Sequence, residues 1–198
     1  MLFRSPCPAT GPWRPWEGNA IDSWLALGPT ALAAAALLVV AGVPKVADPG
    51  DLVRALRSTG LRVPPLLVRG FALAEVLAGG AAILLPGRPA FAAVALLHAG
   101  FTAFVLRALG RGGVVASCGC FGRADTPPTR SHAAVTALLA LAAAGVAIAP
   151  PMDPWWATGI APAMVTAFLA GLIAFLAWQV MAALPSTTPA AIRSTGRA

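Results

Sequence analysis

Two of the three cysteines in this 198-residue chain, Cys118 and Cys120, are separated by a single glycine in "ASCGCFGRAD". Thiols at that spacing have three uses. A disulfide needs Cα atoms roughly 4.4–6.8 Å apart and a defined torsion about the S–S bond, which an i,i+2 pair reaches only in a turn. Gly119, with Gly112, Gly113 and Gly122 close by, gives the backbone the freedom to make one. So small a ring is strained, and strained disulfides exchange readily, whereas a structural staple gains most by closing a long loop. Redox exchange is therefore expected ahead of bracing. Two thiolates and an imidazole could instead hold a soft metal such as Zn²⁺ or Cu⁺. His132 is the third ligand within reach, but a closed zinc site wants a fourth. The remaining use is as small apolar side chains. We take Cys118 and Cys120 as the reactive pair, with two alternatives: a metal site of Cys118, Cys120 and His132, and a non-catalytic membrane assembly factor whose cysteines only brace the loop. Arg111 and Arg123 flank the pair and favour the thiolate that attacks a disulfide. The third cysteine, Cys7, is read as an incidental thiol.

Glu75, in "LAEVLAGG", is the second chemical candidate, because it interrupts an apolar run. A charged side chain at the centre of a membrane helix costs roughly 2.5–3.5 kcal/mol on insertion scales and marks a functional site by default. Arg69, His98 and Lys45 are its candidate partners. A proton-handling or quinone-facing role and a buried polar clamp both fit it. His98 itself is read as a packed helix residue.

These groups are carried by a chain with 58% hydrophobic and only 11% charged residues, against about 25% charged in a soluble domain. About 20 residues at 1.5 Å rise cross a bilayer core, and the sequence holds five such apolar stretches: 24–43, 65–85, 90–109, 132–149 and one within 158–184. The fold expected is all-α, a polytopic four-helix transmembrane bundle with a fifth, C-terminal helix. The organisation expected is a Pro/Trp-rich extension over 1–22 without helical period, a membrane domain over 23–150, the added helix within 151–184 and a disordered tail over 185–198. Trp13, Trp16, Trp24, Trp155 and Trp156 suit headgroup depth. Between the first two spans, Asp48 can cap a short helix that Pro49 opens and Gly60 ends. Leu52, Val53 and Leu56 share one side of it and Arg54 and Arg57 another, which predicts an amphipathic helix on the membrane surface. Ser131 is the expected cap of the fourth span. The net charge of +7 comes from arginines scattered between spans, which speaks against nucleic acid and for lipid headgroups.

The order of a helix ending "AGVPK", an amphipathic stretch, a helix with "LAEVLAGG", and "FTAFVLRALGRGG" leading into "SCGCFG" resembles the MauE family of methylamine-utilisation proteins, within the broader DoxX-like group. The resemblance covers about residues 25–150. It implies a four-helix bundle associated with thiol redox, in which Cys118 and Cys120 are the redox pair. It also implies a thioredoxin-like protein partner and help with disulfide formation in a client protein. The N-terminal extension and the fifth helix depart from the family pattern, so the reading is a redox-associated plasma (inner) membrane protein, with no commitment to methylamine as its pathway. The candidate cofactor is a quinone, exchanging electrons in the bundle near Glu75. The positive-inside rule places the cysteine segment in the cytoplasm, since Lys45, Arg54, Arg57, Arg62, Arg111, Arg123, Arg130, Arg193 and Arg197 share its side. Disulfides persist on oxidising faces, and the expectation adopted is extracytoplasmic.

Overall fold

A computed structural model describes residues 15–58, 60–110, 129–151 and 153–183. Six α-helices account for most of them: α1 (Pro15–Ala47), α2 (Gly50–Ser58), α3 (Pro65–Leu84), α4 (Arg88–Gly110), α5 (Arg130–Ile148) and α6 (Ile160–Trp178). A 3₁₀ turn (Trp155–Thr158) precedes α6 and a π turn (Gln179–Ala183) follows it. Among the described residues there is no strand, and five helices are long and apolar enough to cross a membrane. The protein is all-α and multi-pass.

Helices α1, α3, α4 and α5 close a four-helix ring in which each packs against the next, and α6 packs against α1 from outside. The sequence explains why α1 takes so many neighbours. Its run Ala31, Leu32, Ala33, Ala34, Ala35, Leu37 and Leu38 is buried all round, and small side chains let backbones approach closely where lipid offers no hydrophobic drive for association. At the α1–α3 contact the approach is tightest. A Cβ on Gly79 would meet the Ala35 carbonyl, and one on Gly42 would come within 2.9 Å of the Ala72 carbonyl. Both positions therefore have to be glycine for the two helices to lie this close. On the outer faces, Leu66, Leu77, Leu96, Leu141, Ile160 and Phe168 are exposed, as lipid-facing residues must be.

The short helix α2 follows its sequence signals. Asp48 Oδ1 accepts from the Gly50 N–H at 2.8 Å. At its end Gly60 has φ of 83°. Gly60 N–H bonds to the Arg57 carbonyl and Leu61 N–H to the Leu56 carbonyl, both at 3.0 Å, the Schellman pattern that ends a helix with a left-handed residue.

Three expectations change. Helix α1 begins at Pro15, so the last eight residues of the stretch read as irregular are helical; proline is tolerated at a helix's first position, where its missing N–H would be unpaired anyway. Trp24, read from its type as facing the headgroups, is instead buried within the bundle, edge-on to Phe91 with centroids 6.2 Å apart. The cap of α5 is Thr129, not Ser131: its hydroxyl accepts from the His132 N–H at 3.3 Å. Trp155 and Trp156 do lie in the short connection before α6, where the Trp155 indole N–H donates to the Ile83 carbonyl at 3.0 Å.

Candidate functional site

Midway along α3, Glu75 is fully enclosed, and the group that meets it is Lys45. Lys45 Nζ lies 2.8 Å from Oε2 and 3.1 Å from Oε1, so the ammonium spans both oxygens. Lys45 is near the last turn of α1, from which a lysine could be expected to snorkel outwards. It does the reverse. A helical Cα–Cβ bond leans toward the helix N-terminus, and from residue 45 that direction leads back into the ring. The close α1–α3 contact at Gly42 brings the Glu75 side chain within the lysine's reach. The ammonium also stands 4.8 Å from the centroid of the Phe101 ring on α4, within cation–π range. Of the three candidate partners of Glu75, the fold brings Lys45 to it. His98 is committed elsewhere.

Beside the ammonium a cavity of about 430 Å³ opens between α2, the start of α3 and the second half of α4. Leu52 and Leu56 of the amphipathic helix form one wall, Leu67, Val68 and Phe71 another, and Gly100, Phe101 and Phe104 the third. Lys45 is its charged lining residue, and Glu75 stands behind Lys45 rather than on the wall. Val63 is shared with an adjoining recess of about 750 Å³ lined by Arg57, Gly60, Arg62 and Pro64. An apolar chamber with one cation at its inner end thus meets a basic mouth beside the surface helix.

A second polar track joins α4 to α5. The imidazole of His98 donates through Nε2 to the Ala34 carbonyl at 3.1 Å, which leaves Nδ1 as an acceptor without a partner among the described residues. The Thr102 hydroxyl lies 2.9 Å from both the His98 carbonyl and Thr136 Oγ1. Thr136 directs its own proton back to the α5 backbone at His132 or Ala133, so Thr102 can donate across the interface. His132 is buried, with Nδ1 at 2.8 Å from Thr129 Oγ1, which is also 2.8 Å from Ser131 Oγ. His98, His132 and Thr136 help line a small void of about 30 Å³. That is room for about one water.

Cys7, Cys118 and Cys120 lie outside the described residues, as do Arg111 and Arg123. The helices that bracket the pair end and begin, at Gly110 and Arg130, on the side of the ring where α1 ends and α2 lies. The described cations on that side are Arg54, Arg57, Arg62, Arg69, Arg107 and Arg130, against Arg88 on the other, while Lys45 leaves the surface tally because it is buried. No cluster of three metal-ligating side chains occurs among the described residues. The imidazole proposed for such a cluster, His132, has its Nδ1 taken by Thr129. The phenylalanines of the cavity and the Thr102–Thr136 bridge were not singled out from sequence. The spacing of Phe101 and Phe104 by three residues was the available signal, and it is equally that of a lipid-facing stripe.

A helical ring sealed by a buried ion pair, with a cysteine pair in the sequence joining two of its spans and a fifth membrane-length helix outside it, defines an all-α polytopic membrane protein. The chain belongs to the MauE family: the family model for methylamine utilisation protein MauE matches residues 22–150, from α1 to just beyond α5, and leaves α6 outside. No curated protein and no solved structure matches it.

Proposed function

We propose that the protein is a plasma-membrane thiol–disulfide oxidoreductase that exchanges with a thioredoxin-like partner and so assists disulfide formation in a client protein. The observation that carries this reading is Cys118-Gly119-Cys120, placed within the family-matched region between two membrane spans. In the exchange, one thiolate attacks the partner's disulfide, forming a mixed disulfide and releasing a partner thiolate. The second cysteine then attacks the mixed disulfide. The S–S bond of the pair forms, and the partner leaves as a dithiol carrying both electrons. Run backwards, the same steps oxidise the partner. Arg111 and Arg123 favour the attacking thiolate. Glu75 acts through Lys45, as the buried counter-ion that keeps a cation within the bundle.

The test is labelling with a membrane-impermeant maleimide in intact cells expressing the Cys7→Ser chain, with and without a reductant that stays outside. Labelling that appears only after reduction is expected, and it would fix an extracytoplasmic disulfide against the arginine bias. Thiols reached only after the membrane is opened, and unchanged by oxidised partner, would overturn the reading.

A further inference from the structure

The Lys45 ammonium has three N–H groups, and Glu75 takes two of them. No oxygen among the described residues takes the third, and the ammonium instead faces Phe101 on the cavity wall. We propose that this cavity seats the ring of a lipid-soluble quinone, whose carbonyl oxygen accepts a hydrogen bond from Lys45 Nζ. The proposal rests on the thiol-redox reading for its electron source, but not for the binding itself.

Three features select this ligand class. The volume, about 430 Å³, lies within the roughly 300–1,000 Å³ of small-molecule pockets. Phe71 and Phe101 meet edge to face at 6.0 Å, and with Phe104 they put aromatic surface on two walls, suited to a planar ring. The one polar group at the inner end is a donor, so the ligand must bring an acceptor to the inner end and an apolar tail to the outer. A phospholipid has the opposite polarity: its head would stay at Arg57 and Arg62, and its acyl end would leave the ammonium unused. A ring oxygen that gains negative charge on reduction is stabilised by Lys45, and Glu75 keeps the resting pair neutral, so the empty site does not hold a lone buried charge. The balance closes with the pair named above: two thiols become one S–S bond and release two electrons and two protons, which the quinone takes up as hydroquinone.

The test titrates decylubiquinone into the detergent-solubilised full chain carrying Cys118→Ser and Cys120→Ser, so that binding is read without turnover. Saturable one-to-one binding is expected. Adding Lys45→Met with Glu75→Leu, which removes the donor without stranding a charge, should weaken it about tenfold or more, as for a lost hydrogen bond to a charged donor. Gly100→Leu should abolish it by filling the chamber; a Cβ there meets nothing within 4 Å, so the helix accepts the change. No saturation, an affinity indifferent to the Lys45 and Glu75 changes, or displacement of the probe by phosphatidylglycerol would overturn the site. Binding as expected, with the unaltered cysteine pair left unoxidised by the bound probe, would keep the site and overturn the thiol reading.

Discussion

Lys45 and Glu75, thirty residues apart on helices that run in opposite directions, form a two-pronged ion pair at 2.8 and 3.1 Å with almost no exposed surface on either partner. A buried charge that loses its partner costs about 3–5 kcal/mol, whereas replacing both members by apolar residues of similar volume is often neutral or stabilising. Lys45→Met and Glu75→Leu should therefore each destabilise the solubilised protein by about that amount, and the double variant should return close to the parent. Unfolding by denaturing detergent, followed by circular dichroism, measures both. A double variant whose loss is the sum of the two single losses would mean that the two residues act independently of their contact.

The two adjacent glycines of α3 should respond oppositely to alanine. At Gly79 the added Cβ presses on the Ala35 carbonyl and comes within 2.9 Å of Val39, so Gly79→Ala should cost about 1–3 kcal/mol as overpacking forces α1 and α3 apart. At Gly80 a Cβ meets nothing within 4 Å, and Gly80→Ala should stabilise by roughly 0.5–1 kcal/mol through the unfolded chain's lost freedom. The same unfolding assay compares them. A neutral Gly79→Ala would remove the argument that this helix pair is held by small-residue contact.

At the start of α5, Thr129 and Ser131 exchange the roles that a sequence pattern gives them. The Thr129 hydroxyl serves the His132 N–H, the His132 ring and Ser131 together. Thr129→Ala should cost about 0.5–2 kcal/mol as a lost cap, with Thr129→Ser restoring most of it. Ser131→Ala, an exposed change, should stay within about 0.5 kcal/mol. The reverse order of effects would return the cap to Ser131.

What was legible in the sequence is what depends on local chain chemistry. Apolar length alone marked the five spans, and Asp48 and Gly60 marked the ends of α2, because hydropathy, capping and left-handed backbone are decided within a few residues. What depends on neighbours was not legible. Arg69, His98 and Lys45 were equally good partners for Glu75 until helix packing placed the α1 lysine against it and turned His98 to the Ala34 carbonyl. Trp24 has the composition of an interfacial residue, but packing against Phe91 places it inside. Residues 15–22 carry no periodic apolar face and still extend α1, since a helix already nucleated by a packed span propagates cheaply. The cavity needed three separate segments to meet, and no single one of them signals it.

The cysteine pair itself separates function from bracing by an asymmetry of effects. A disulfide stabilises mainly by restricting the unfolded chain, and the gain grows with the residues enclosed. Cys118 and Cys120 enclose one, so reducing the pair, or replacing it by Cys118→Ser with Cys120→Ser, should shift stability by less than about 2 kcal/mol. The same double replacement should abolish thiol exchange with a thioredoxin-like protein, and each single replacement should stop the reaction at or before the mixed disulfide. Stability in denaturing detergent and mixed-disulfide capture on non-reducing gels provide the two readings. Exchange lost at nearly constant stability is the result a redox pair must give. A large stability loss with no change in oxidation of the client protein would instead make the pair a brace.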